Sequence, residues 1–298
     1  MTRLLYRALV WLALPGVMLR LAWRARRQPE YLKNLSERFG YSRAGGGGRP
    51  IWIHAVSVGE TRAAEPLIRA IEVRHPNVPI LLTCTTPTGR ATGEQLYGTR
   101  VTQAYLPYDL PHAVRRFLRT HQPKLGILLE TELWPELILG CQEQAIPLSI
   151  VNARLSRRSA RRYGHVSSFT AQVLNATTVI AAQSQADMQR FQALGAARVV
   201  TCGNLKFDRS AQPGDYVLAS KLRRYAGDRP IVLVASTRQG EENLFLEAWR
   251  DTLRRDVLMV LVPRHPQRFD EVEKLIENHG LRLQRRSHNE TVHAQTQV

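Results

Sequence analysis

Five short, nearly unbroken apolar runs recur along the chain, at residues 51–56, 80–85, 125–129, 146–151 and 178–181. Most are followed by a stretch with the three-to-four-residue period of an amphipathic helix. A run without polar alternation suits a strand buried on both faces, the condition of a parallel sheet covered by helices. The pattern therefore predicts an α/β fold with a doubly wound, mostly parallel sheet. Shorter strands are expected at 102–105 and 198–201. Helices are expected at 62–75, 86–96, 110–119, 134–144, 167–174 and 185–194, with a polar, basic segment from 152 to 163. Beyond Phe207-Asp208 the composition becomes linker-like through Gln212-Pro213-Gly214. A second α/β unit follows, with strands at 231–235, 257–262 and 281–283, helices at 241–254 and 266–279, and a polar tail. Three strands fall short of the roughly five or six of a doubly wound domain, so this unit reads as incomplete.

The 298 residues carry a formal charge of +17, which points to an anionic partner. Residues 1–49 hold ten Arg or Lys against Glu30 and Glu37. Within them, 4–23 is mostly Leu, Ala, Val and Trp, and Arg20, Arg24, Arg26 and Arg27 follow. About twenty helical residues match a bilayer core. The basic residues after them place the rest of the chain in the cytoplasm. Residues 1–27 thus read as a membrane-anchor helix, spanning or interfacial, partnered with anionic inner-membrane lipid. Gly45–Gly48 is a flexible joint; it precedes a strand and lacks the Lys-Ser/Thr of a phosphate loop. A nucleic-acid binder is the competing reading of the charge. The basic residues cluster beside an apolar helix and are not interleaved with aromatics, so no nucleic acid is expected. Cys84, Cys141 and Cys202 have no metal-ligand spacing and suit reduced thiols.

The chemistry gathers where strands end. Ser57-Val58-Gly59-Glu60 follows the first apolar run, and Glu130-Thr131-Glu132-Leu133-Trp134-Pro135-Glu136 follows the third. Glu60 is either a helix-end charge or a general base. Two acidic strand ends on one sheet edge favour function. Arg154 and Arg157, in the loop after the fourth run, suit an anion, and Lys206 follows a strand to the same edge. In the second unit, Ser236-Thr237-Arg238-Gln239-Gly240-Glu241 and Pro263-Arg264-His265-Pro266 follow two strands and suit a bound anion. Two such edges face to face would make an interdomain cleft. His75, His112 and His121 read as surface residues. GxSxG, HExxH, Walker A and GxGxxG motifs are absent.

Taken in order, several motifs closely resemble the 3-deoxy-D-manno-octulosonic acid (Kdo) transferases, glycosyltransferases of lipid A assembly. They are Phe39-Gly40-Tyr41, His54 through Glu60, Thr83 through Gly89, Tyr105 through Asp109, Glu130 through Pro135, Asn152 through Ser156, Gly203 through Asp208, and Pro263 through Pro266. The resemblance implies two Rossmann-like domains of GT-B type behind a membrane-associated helix. Here they would be an acceptor domain at 28–207 and a partial donor domain at 208–298. It implies inverting transfer of Kdo from CMP-Kdo to a lipid A precursor, without a cofactor or required metal, at the cytoplasmic face of the inner membrane. By the same resemblance Glu60 is the general base, and Glu130 and Lys206 stabilise the transition state. Pro263, Arg264, Ser236, Arg238, Gly240 and Glu241 belong to the donor side, and Arg154 and Arg157 to the acceptor side. The family's Ser-Thr-His-Glu-Gly-Glu turn appears here as Ser236-Thr237-Arg238-Gln239-Gly240-Glu241. Its later Gly-Gly-His-Asn-x-x-Glu-Pro stretch has no counterpart before Val298, which predicts weak donor binding; a non-catalytic membrane-bound remnant is the alternative.

Overall fold

The apolar runs become neighbouring strands because each can hide both faces only between other strands and two helical layers. The computed structural model describes residues 1–43, 45, 48–208, 213–252 and 256–298. The chain divides into two units, Met1–Arg209 and Ser210–Val298.

The first unit begins with helix α1 (Arg3–Ala25). Strands and helices then alternate: β1 (Ile51–His54), α2 (Val58–Ala63), α3 (Glu65–Arg74), β2 (Ile80–Cys84), α4 (Pro87–Tyr97), β3 (Val101–Tyr105), α5 (Pro111–His121), β4 (Leu125–Leu129), α6 (Pro135–Glu143), β5 (Leu148–Ala153), α7 (Arg157–Gly164), α8 (Ser167–Asn175), β6 (Val179–Ala182), α9 (Gln185–Ala193) and β7 (Val199–Thr201). All seven strands are parallel, in the order β3-β2-β1-β4-β5-β6-β7. The chain builds outward from β1 to β3, then returns to lay β4 on the other edge of β1. That reversal is a topological switch point, where open α/β sheets leave a crevice beyond the strand ends.

Strand alternation sends residues to two cores. Trp52, Leu81 and Leu128 pack with Val114, Phe117 and Leu118 of α5 and Leu137 of α6. Ile51, Ile53, Leu82 and Ile127 pack on the opposite face with Ile68 of α3 and Tyr97 of α4. Gly126 makes room for Trp52: a Cβ there would lie 2.7 Å from the indole and 2.4 Å from Leu148.

Several elements differ from the sequence reading. The helix expected at 62–75 is two helices, because Pro66 cannot donate to the carbonyl four residues back. The basic segment 152–163 contains α7. The linker-like stretch holds helix α10 (Pro213–Ala226) from its proline onward. Gln212, Gly46, Gly47 and Arg254 lie outside the described residues.

In the second unit, β8 (Ile231–Thr237) pairs in parallel with β9 (Leu258–Pro263), flanked by α10, α11 (Glu241–Thr252) and α12 (Phe269–Asn278). Residues 281–283 form no strand. Instead the tail docks there: the Met259 N–H donates to the Gln297 carbonyl at 2.9 Å, and the Gln284 N–H to the Val298 carbonyl at 3.1 Å. Among the described residues the sheet has two strands. The fully buried Glu242 carboxylate is held by the Arg268 guanidinium through contacts of 2.7 and 3.1 Å.

One buried polar node ties α1 to the start of α6. The Arg3 and Arg7 guanidiniums both grip the Glu136 carboxylate, at 2.6–3.0 Å. The Tyr6 hydroxyl donates to Asp109 at 2.6 Å. Asp109 in turn caps α6, accepting from the Glu136 and Leu137 N–H groups at 2.9 and 2.8 Å. A hydrogen bond to a charged group contributes about 1.5–3 kcal/mol. Tyr6→Phe should therefore lower stability by about that much, seen as a reduced urea midpoint; an unchanged midpoint would show that this contact carries no stability.

Candidate active site

The Glu60 turn is built by helix capping. Ser57 caps α2, its hydroxyl accepting from the Glu60 N–H at 3.5 Å. The Glu60 carboxylate reaches back to take the Val56 N–H and, at 3.3 Å, the Ser57 hydroxyl. This Ser-x-x-Glu exchange is a capping box, so the helix-end role is realised. The turn is braced from β2: the Thr86 hydroxyl donates to the Val56 carbonyl at 3.2 Å and caps α4 through the Gly89 N–H at 3.1 Å. Gly89 permits that approach, since a Cβ would meet Thr86 at 2.9 Å and the Val56 carbonyl at 3.2 Å.

Capping does not explain what lies beside Glu60. Glu130 follows β4, which is β1's neighbour across the switch point. Its φ is 60°, left-handed for a residue with a Cβ, and its N–H is held by the Val151 carbonyl at 3.0 Å. Such conformations cost about 1–3 kcal/mol and persist where the surroundings enforce them. Burial raises the Glu60 carboxyl above the usual range, the Val56 N–H pulls it back, and the Glu130 charge raises it further. Glu132 goes higher, to about 7, through burial first and then the Glu60 and Glu130 charges. Three carboxylates from two strand ends thus share one field, and burial within it holds the Glu132 carboxyl above the ordinary carboxylate range. Lys206 supplies the facing cation, its Nζ 3.7 Å from a Glu130 oxygen.

Asn152 sets the place of Lys206. It sits at φ 56°, at a register shift in β5, and is buried. Its side-chain oxygen accepts the Leu205 N–H at 3.2 Å, pinning the 3₁₀ turn Leu205–Asp208 that carries Lys206. Neither Glu132 nor Asn152 was assigned a role from sequence. The available signal for Asn152 was its residue type, since Asn tolerates the left-handed region; for Glu132 only tertiary burial distinguishes it from its neighbours.

Arg154 is tied to the same loop by its backbone, its N–H reaching the Thr131 hydroxyl at 3.1 Å. Its side chain and that of Arg157 are exposed. Arg157 opens α7, where the helix end disfavours cations and an anion would relieve the repulsion.

The donor-side candidates gather at one edge of the second unit's sheet. Ser236 has φ 63° at a register shift in β8. The Arg238 N–H is received by Glu241 at 2.8 Å across Gly240. Thr237 pairs with Pro263, and its carbonyl accepts the Arg264 N–H at 3.0 Å.

The histidines correct one expectation. His121 is buried, its Nε2 2.6 Å from the Ser42 hydroxyl and its ring against Phe117; burial pulls it down to about 4. His112 is exposed and stacks on Trp11. His54 is buried and also lowered to about 4, its Nδ1 facing Thr83. Among the described residues no His, Cys, Asp and Glu side chains are grouped to hold a metal ion.

This parallel sheet, with acidic groups gathered at its switch point, defines a Rossmann-like α/β protein. Two solved structures share the fold: the UDP-GlcNAc 2-epimerase of Neisseria meningitidis (TM-score 0.55, 13% identical, covering 77% of this chain and 69% of that one) and a glycosyltransferase of Rickettsia africae (TM-score 0.53, 12% identical, covering 78% and 66%). The chain belongs to the Kdo transferase family: the family model for 3-Deoxy-D-manno-octulosonic-acid transferase (kdotransferase) matches residues 33–209. It is similar to the 3-deoxy-D-manno-octulosonic acid transferases of Bordetella pertussis (42% identical over 80% of this chain and 57% of that protein) and Haemophilus influenzae (37% identical over 100% and 71%). The chain thus spans 57% of the first relative's length and 71% of the second's.

The raised Glu132 carboxyl has a consequence for stability. It moves from 4.5 in the unfolded chain to about 7 in the fold, so the folded state holds the proton more tightly. Its stabilisation is full below about pH 4.5 and is lost as pH rises through about 7. Glu132→Gln should flatten the decline in stability over that window, measured by urea unfolding across pH; an unaltered slope would show that Glu132 titrates normally.

Proposed function

We propose that this protein transfers Kdo from CMP-Kdo to a lipid A precursor, with Glu60 as general base. The observation that carries the reading is the joining of Glu60, Glu130 and Lys206 at the switch point of the sheet, together with membership of the family.

The acceptor hydroxyl oxygen forms the new bond to the sugar's anomeric carbon. The bond from that carbon to the CMP phosphate oxygen breaks, and its electron pair leaves with CMP. The hydroxyl proton passes to Glu60, whose second oxygen stays fixed by the Val56 N–H. Burial, and then the Glu130 charge, raise the basicity of Glu60, and Lys206 offsets the negative charge of the cluster and of an incoming anion. Arg154 and Arg157 suit the phosphates of the acceptor. Ser236, Arg238, Gly240, Glu241, Pro263 and Arg264 form the donor side. The lipid acceptor places the reaction at the cytoplasmic face of the inner membrane, where α1 meets anionic lipid.

General-base catalysis contributes about 10²–10⁴-fold. At high CMP-Kdo concentration, Glu60→Gln should lower Kdo transfer to a lipid A precursor by about that factor, while Arg3→Met leaves the chemistry intact. Near-normal turnover of the Glu60 variant would remove the base assignment, and absence of transfer by the unaltered chain would remove the activity.

A further inference from the structure

One side of helix α1 is partly shielded within the first unit. Tyr6, Val10, Leu14, Met18, Leu21 and Ala25 recur every three or four residues and are all partly or fully buried. The N-terminal end is fixed by Arg3 and Arg7 on Glu136 and by Tyr6 on Asp109. At the C-terminal end Leu21 and Ala25 are each only 8% exposed. The opposite side is apolar and open. Leu5, Leu12 and Leu19, one heptad apart and therefore on one face, are 52%, 78% and 73% exposed, and Trp23 is 59% exposed. No charged residue falls between Arg7 and Arg20.

A 23-residue helix is about 34 Å long, enough to cross a bilayer core of about 30 Å. Crossing would put its two ends on opposite sides of the membrane. Both ends are held on one unit, and the N-terminal contacts are ion pairs that a hydrocarbon environment would not admit together with the charged surface around them.

We propose that α1 lies in the plane of the membrane interface, with Leu5, Leu12, Leu19 and Trp23 immersed among lipid chains, and does not span the bilayer. The exposed Arg20, Arg24, Arg26 and Arg27 at its C-terminal end meet anionic headgroups. A second copy packed in parallel on this face would bring the same four charges together. The inference rests on the membrane-association part of the functional reading and not on Kdo transfer, so loss of transfer leaves it standing.

The test uses Thr2→Cys together with the native, exposed Cys202; Cys84 and Cys141 are buried. The protein is reconstituted into sealed phosphatidylethanolamine/phosphatidylglycerol vesicles and treated with a membrane-impermeant maleimide. Intact mass then counts labels per molecule. An in-plane helix keeps both thiols on one side, so molecules carry two labels or none, whatever their orientation. A spanning helix separates them, and singly labelled molecules would overturn the proposal. The triple variant Leu5→Glu, Leu12→Glu, Leu19→Glu should reduce vesicle binding by about tenfold or more with its circular dichroism unchanged. Retained binding, or conversion of a lipid-free dimer to monomer by the same substitutions, would assign the face to something other than lipid.

Discussion

The chain leaves β1 to build β2 and β3 on one edge and returns to lay β4 on the other, and the acidic cluster owes its position to that reversal. Helical connections on both sides of the sheet diverge at the junction of β1 and β4 and cannot fill the space beyond their ends. Glu60 leaves one of these strands and Glu130 the other. Without the reversal the two carboxylates would belong to unrelated turns, and their mutual repulsion would have no geometric basis.

The cluster is held by backbone conformations that most side chains avoid. Glu130 and Asn152 both adopt left-handed geometry at or just beyond a strand end, and Asn152 coincides with a register shift. Each re-aims the chain as it leaves the sheet. At Glu130 the Val151 carbonyl enforces it, and at Asn152 the side chain pins the turn bearing Lys206. The strain stored there is offset by the buried strands behind it. A second node does comparable work for the loop's far end. Asp109 caps α6, and Glu136, one residue into that helix, is neutralised by two guanidiniums from α1. The loop carrying Glu130 and Glu132 therefore runs between a strand end and a helix start that are each fixed by distant residues.

Much of this was legible in the residues. Buried parallel strands announce themselves as unbroken apolar runs, and all five became strands. Ser57 followed three residues later by Glu60 is a capping signal that needs no tertiary information. Short-range reading failed where local preference and burial disagree. The arginine-rich segment that forms α7 has no apolar stripe to reveal its period. Pro213 looked like a linker residue and instead opens α10, since a first-turn proline forfeits no hydrogen bond. His121 carries no mark of burial until Ser42 and Phe117 close around it.

The sequence by itself determined the class of fold, the strand ends that carry acids and bases, and the apolar, basic character of α1. Hydrophobic period, capping chemistry and charge are properties of neighbours in the chain, and neighbours suffice to read them. Tertiary structure alone decided which strand ends meet, that burial and acidic neighbours raise the Glu132 carboxyl, that Asn152 positions Lys206, and that the N-terminal end of α1 rests on Glu136 and Asp109. Each depends on groups between about fifty and more than one hundred residues apart brought within hydrogen-bonding or electrostatic range, and no local pattern encodes such a distance.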